Sequence, residues 1–322
     1  MESIRNLTQE EVKYFASNPT TSSTLDTDTV IMEQWTNDVI IKARKILMCD
    51  QFLGQRYNMG QGGDTLHVIR QTDMNDGSAM TSSWTEGSAS INTYEVNFDA
   101  KDITGTMYGI GIELTGQALD EAHFNARELC TQALAYQLGK VRDTAIYNAL
   151  VPAGASIDSS TNEIWAGSAT SDIQSTDTLV LNDFPDALHQ LRLDNIPEPY
   201  ACLATNYELN YFQKSSQFVN AAERGSSAVI ENGKVTRYLN CDIAYTNNHT
   251  PRTSSDTDFS ANGHDVLICS IPLYMAVGTW RPLTMGIHYH PQDDKTYIVG
   301  TWDEGYKAIQ PEAACIVHTA DW

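Results

Sequence analysis

Apolar positions along this chain fall into blocks of different period, and the period sets which element each block can form. From Thr29 to Leu47 the segment TVIMEQWTNDVIIKARKIL places Ile31, Trp35, Val39, Ala43 and Ile46 at helical spacing. Its bases lie toward the C-terminal end, where the helix dipole favours cations. A first amphipathic helix is therefore predicted within residues 29–51. Between Phe52 and Thr104 the pattern changes to strand. Thr65 to Thr72 reads as a short strand, Asn75-Asp76-Gly77 is a hairpin-turn signal, and Tyr94, Val96 and Phe98 alternate with Glu95, Asn97 and Asp99. Few large apolar residues lie between Met74 and Ile91, so the tip of this long hairpin-like loop has no core of its own.

Tyr108, Ile110, Ile112 and Leu114 then share one face of a further strand. A proline-free run over 117–150 follows, with Leu119, Ala122, Leu129, Ala133, Tyr136, Val141, Ala145 and Ile146 on one stripe. At about 1.5 Å per residue such a helix approaches about 50 Å, a spine to lay across a sheet. Pro152 to Thr178 is polar, with Ile157, Ile164, Trp165 and Ile173 as its anchors. Beyond it come a helix over Asn182 to Leu193, a short buried strand over Tyr200 to Ala204, and a second helix that Asn206 can cap. The last fifty residues are strands: VLICS, TMGIHYH, KTYIVGTW and AACIVHT. The first 28 residues, rich in Ser, Thr, Asn and Asp, suit an extended arm that takes its order from a neighbour.

Composition narrows the function classes. The chain has 322 residues, and 41 acids against 20 bases give a net charge of −21. A field of that sign repels phosphate backbones, which argues against tight nucleic-acid binding. No apolar run reaches the roughly 18 to 20 residues of a membrane span, and the acidic N-terminal segment lacks the apolar stretch of a secretory signal, so synthesis in a cytoplasm is expected. The six cysteines show no CxxC pair and read as buried thiols. The sequons at Asn6 and Asn248 read as accidental in that setting.

Two stretches carry candidate chemistry. In Gly60-Gln-Gly62-Gly63-Asp64 the glycines suggest a phosphate cradle. The spacing fits neither a Walker loop nor a dinucleotide fingerprint, no lysine follows, and the next element is a strand; the glycines read as a hinge at the base of the hairpin. In His288-Tyr-His290, with Asp293 and Asp294 following, two imidazoles on one strand face can reach one metal ion and a carboxylate can join them. The competing reading is two polar residues on the solvent face of a strand leading into a turn. No G-x-S-x-G elbow is present, no cysteine carries a nucleophile's flanking signature, and no cofactor is expected.

The order of elements resembles the major capsid protein of tailed double-stranded DNA viruses, an α+β, HK97-like shell fold shared with encapsulins. Trp302-Asp-Glu-Gly305 through Pro311-Glu-Ala to Thr319 is similar to that family's closing pattern, and Cys202 to Phe212 to its central strand-then-helix element. Gly233-Lys-Val, followed by Tyr238 to Thr246, is similar to the hairpin after it. Asn240 stands where related chains place a glycine and tolerates the same left-handed backbone.

The resemblance implies an arm over 1–28, a helix over 29–51, an extended loop over 52–104, and a peripheral domain of 105–180 and 281–322 carrying the spine helix 117–150. An axial domain of 181–280 completes it. It also implies a non-catalytic subunit that forms hexamers and pentamers of an icosahedral virion shell enclosing DNA. Inter-subunit contacts are expected at Gly60, Gly62, Gly63, Asn75, Asp76, Gly77 and Trp84 in the loop, and at Arg224 and Lys234 in the 220–234 segment. The long helical N-terminal extension that serves some relatives as a scaffold is not seen, which implies a separate scaffolding protein or none. Portal and decoration proteins are further implied partners. Two alternatives stand beside this reading: an encapsulin-type compartment, and a metal-dependent enzyme using His288, His290 and Asp293.

Overall fold

The computed structural model describes residues 45, 47–60, 63–71, 98–117, 126–152, 162–167, 169, 171–180, 182–214, 237–256 and 259–321. Most of the expected arm and first helix, the tip of the extended loop and the 215–236 segment lie outside these residues.

The alternating strands pair into three sheets. β1 (Gln55–Asn58), β4 (Thr106–Thr115), β10 (Met275–His290) and β11 (Lys295–Ala308) form a four-stranded sheet in the order β1-β10-β11-β4. Within it Ile112, Ile298 and Ile287 sit side by side, as do Leu114, Thr296 and Tyr289, so the alternation read at Tyr108 to Leu114 continues across three strands. The spine helix α1 (Ala126–Leu150) covers this face: Leu134 and Leu138 pack on Ile298 and Trp302, flanked by Tyr108, Ile110, Ile112 and Leu114. β2 (Thr65–Gln71) and β3 (Phe98–Thr104) pair antiparallel as the base of the extended loop. They dock through Val68 and Ile103 against Ala276 and Ile309.

The third sheet runs β5-β12-β9-β6-β8-β7, where β5 is Glu163–Trp165, β6 Tyr200–Thr205, β7 Arg237–Tyr238, β8 Cys241–Thr246, β9 Gly263–Cys269 and β12 Ala314–Ala320. Both faces are covered. On one, α2 (Asp183–Leu193) and α3 (Asn206–Lys214) bring Phe184, Leu188, Leu191 and Phe212 onto Cys202, Ala204, Ile268 and Val317. On the other, Ile146, Tyr147 and Leu150 of α1, Cys49, Phe52 and Leu53, and Tyr274 of the one-turn helix α4 (Ile271–Tyr274) pack on Leu203, Leu267 and Ile316. Burial on two sides explains why YACLAT and ACIVHTA read as continuous apolar runs with little alternation.

Strand pairing joins segments that the expected division separates. β12 and β5, assigned by sequence to the peripheral part, hydrogen-bond into the central sheet, with β12 held between β5 and β9. The period of a strand reports which faces are buried and says nothing about which strand lies beside it. Of the strand read at Tyr94 to Phe98, Phe98 alone lies among the described residues, where it belongs to β3. The turn joining β7 to β8 holds both Leu239 and Asn240 at positive φ, 46° and 64°, so the left-handed position expected at Asn240 is there and extends to its neighbour. Among the described residues no helix is long and apolar enough to cross a membrane.

Candidate functional site

β10 carries the most conspicuous surface. Its first residues are buried between β1 and β11, but β1 pairs only with Ala276 to Thr279. From Arg281 onward β10 is hydrogen-bonded on one side alone, to β11, among the described residues. Nine of the ten residues from 281 to 290 are exposed. Leu283, Met285, Ile287 and Tyr289 alternate along this edge with 42 to 60% of their surface open to solvent. Met285, Ile287 and Tyr289 lie on the α1 side of the sheet, opposite Gly300, Ile298 and Thr296, and remain exposed there. Isolated proteins blunt such edges with charges, prolines or covering segments. Here Arg281 and Pro282 come before the apolar row and no charge interrupts it up to Ile287. The outer face of the β2–β3 ribbon adds Ile69 and Phe98, both about two-thirds exposed.

The glycines at the ribbon base are ordered by specific constraints. Gly60 (φ 56°) and Gly63 (φ 73°) hold left-handed backbone that a side chain disfavours. The Gly63 carbonyl accepts a hydrogen bond from the Trp280 indole, 2.7 Å. They turn the chain from β1 into β2, with a strand following, which is a joint and not a helix-capped phosphate cradle. Gly62, Asn75, Asp76, Gly77, Trp84, Arg224 and Lys234 lie outside the described residues. His288 and His290 are exposed and share a face of β10 as strand geometry requires, and His290 Nδ1 lies 3.2 Å from Asp293 Oδ2. Among the described residues no three His, Cys, Asp or Glu side chains are grouped to hold a metal ion.

Sequence reasoning missed two buried polar networks on adjacent residues of β9. His264, fully buried, lies between two carboxylates: Nε2 meets Glu208 of α3, and Nδ1 lies 2.7 Å from Asp321 Oδ1. Glu208 also accepts bonds from the Thr205 amide and hydroxyl. Burial alone lowers the pKa of His264, but the Glu208 charge and the bonds to Asp321 and Glu208 outweigh it and raise it to about 9. Burial pushes Glu208 up, and the opposing charge and bonds of His264, with those of Thr205, hold it below its ordinary value. Asp265 accepts from Arg252 Nε at 2.6 Å and lies 2.6 Å from His318 Nδ1, both partners being buried. All six cysteines are free; five are buried, and burial drives the Cys241 and Cys315 thiols up to about 12. Asn248 is buried under bonds to α1, so the second sequon is closed to glycosylation in this fold.

The sign of the His264 contribution follows from its raised pKa. A histidine whose folded value exceeds its ordinary 6.5 adds stability that is fully present below 6.5 and disappears as the pH rises through about 9. We expect the melting temperature of the intact protein to fall over that window and that of His264→Gln to fall less. The buried thiols contribute an alkaline loss common to both proteins, so the difference between the two melting curves isolates the histidine. Equal slopes would show that His264 is not charged in the folded state.

Clefts are open between the described residues. One, about 520 Å³, lies between the ribbon and the end of α1 and is lined by Lys101, Asp102, Asn148, Tyr274, Tyr306 and Lys307 among others. Another, about 350 Å³, lies beside Phe52, Tyr200, Ile243 and Pro272. Neither is lined by a serine, cysteine or histidine.

No protein-family model and no curated protein matches the chain. Solved structures do. The capsid structure of the cyanophage P-SCSP1u superimposes with a TM-score of 0.71 at 15% identity, covering 92% of this chain and 94% of that one. The mature capsid of bacteriophage PhiM1 gives 0.68 at 12% identity over 89% and 91%. A chain of Mycobacterium phage Che8 gives 0.66 at 16% identity over 90% and 97%. The protein therefore has the fold of phage capsid chains, matched nearly end to end.

Proposed function

We propose that this chain is a structural, non-catalytic major capsid subunit that assembles into the hexamers and pentamers of an icosahedral shell around double-stranded DNA. One observation carries the reading: the match to phage capsid chains extends over about nine-tenths of both partners. The open β10 edge and the outward Ile69 and Phe98 support it, since an uncovered apolar edge is a liability in an isolated protein and a contact in an assembly. In this reading neighbouring copies cover these surfaces. The arm 1–28, the loop 52–104 and the 220–234 segment, with Arg224 and Lys234, reach other subunits, while Gly60 and Gly63 set the angle at which the loop leaves the body. The central sheet, including β5 and β12, forms the axial domain. The net charge of −21 suits a wall that encloses DNA without holding it. Its place is the virion, after synthesis in the host cytoplasm, with scaffolding, portal and decoration proteins as its partners.

Negative-stain electron microscopy of the purified protein, beside its elution from a sizing column, tests the reading. Closed shells, tubes or uniform rings are expected. A strictly small species under every salt condition, with or without a scaffolding partner, would overturn it. Shells that enclose protein cargo and no nucleic acid would favour the encapsulin-type compartment.

A further inference from the structure

The segment that follows β8 binds the spine helix at successive turns. Asn248 Nδ2 donates to the Lys140 carbonyl at 3.3 Å and to Asp143 Oδ2 and Thr144 Oγ1 at 3.0 Å. Thr250 donates to Asn148 at 2.7 Å. Arg252 reaches the carbonyls of Val151 and Pro152 at the helix end while paired to Asp265 of β9. The strap thus fastens the central sheet to α1. Asp143, which receives Asn248, also accepts the Cys49 amide, so the segment entering β1 hangs on the same point.

His249 sits inside this strap between two of its anchors. Its ring lies 5.7 Å from that of His264 and edge-on to Tyr207 at 6.2 Å. Its Nδ1 is buried and has no hydrogen-bond partner among the described residues. The groups facing it are Tyr207 and Glu208 from α3, His264 from β9, Asp321 after β12, and Lys45. Glu208 and Asp321 are both committed to His264.

We propose that residues 248–252 form an acid-released latch between the central sheet and the spine helix, with His249 as its trigger. Whichever nitrogen carries the proton in the neutral ring, the protonated ring has an N–H at both. It then places a donor at Nδ1 that has no acceptor, and a positive charge beside the imidazolium of His264. The ring relieves both by swinging to solvent, which pulls Asn248 and Thr250 off the helix on either side. Burial, the charge of His264 and, more weakly, Lys45 lower the pKa of His249 against the opposing pull of Glu208 and Asp321. With the folded value depressed, the open state takes up the proton first. The latch is unaffected above the ordinary 6.5 and weakens as the pH falls below it. This device depends on the fold alone, so it stands whether or not the shell reading holds.

Hydrogen exchange of the full chain at about pH 7.5 and about pH 5, corrected for the intrinsic rate, tests the proposal beside His249→Phe. Protection of 140–152 and 247–253 is expected to drop in the parent, by up to the roughly thirtyfold that one proton supplies between pH 6.5 and 5, and to persist in the variant. Unchanged protection in the parent, or equal loss in both, would overturn it. If His249→Phe does not fold, His249→Gln replaces it, and the His249 ring of the parent is titrated by NMR. A ring that titrates at or above 6.5 overturns the latch, and one that titrates below it together with the loss of protection supports it.

Discussion

Replacing Asp265 with alanine is expected to cost about 3–5 kcal/mol of stability, a large part of the roughly 5–15 kcal/mol that holds a folded domain. The carboxylate is 1% exposed and is the partner of both Arg252 and His318, and its backbone carbonyl receives the Tyr147 hydroxyl at 3.3 Å. Removing it leaves the Arg252 guanidinium, 5% exposed, with the carbonyls of Val151 and Pro152 as its partners and no opposing charge among the described residues. The cost is the burial of an uncompensated cation, not the worth of the pair itself. Accordingly Asp265→Asn with Arg252→Met, which removes both charges, should recover part of the loss. Burial pushes Asp265 upward, but the bond and charge of His318 and those of Arg252 bring it below its ordinary value. Its contribution is therefore present above the ordinary carboxylate range and lost as the pH falls through the depressed folded value. Urea unfolding at neutral pH measures the effect. An Asp265→Ala midpoint within about 1 kcal/mol of the parent would show that the network is not coupled to folding.

How much of this was legible in the chain follows from what periodicity encodes. Tyr108 to Leu114 shows period 2 because one face of β4 meets α1 and the other meets solvent, and 182–193 shows a helical stripe because α2 buries one side. Element identity was therefore readable for β4, α2, β6, α3 and the closing strands. Neighbourhood was not. β1 pairs in parallel with β10 more than two hundred residues away, and QRYN carries no pattern that announces it. The polar networks did leave a signal: GHDVLIC and ACIVHTA set His264, Asp265 and His318 inside apolar strand runs. A charge in a doubly buried strand requires a partner there, so His318 opposite Asp265 was open to inference once β9 and β12 were known to pair. Glu208 was less accessible, because an acid in the first turn of a helix reads first as a partner of the dipole.

The mutation with the largest expected effect on function is Ile287→Lys. Ile287 is 55% exposed on the open edge of β10, between Met285 and Tyr289. In the isolated subunit a lysine there meets water, and a substitution at such a surface position moves stability by no more than about 0.5 kcal/mol. Under the proposed shell reading the same position is covered by a neighbouring copy. Fully burying an isoleucine contributes about 1.5–3 kcal/mol, and with Ile287 55% exposed roughly half of that is at stake, so each contact weakens several-fold and desolvating the ammonium adds to the cost. A closed shell repeats the contact through every subunit, so a modest local penalty becomes failure to assemble. The variant should melt with the parent yet elute as a small species, while Ile287→Val keeps the edge apolar and should still form particles. Shells from Ile287→Lys at the parent's yield would show that this edge remains uncovered in the assembly. A melting temperature well below the parent's would show instead that the side chain supports the subunit itself.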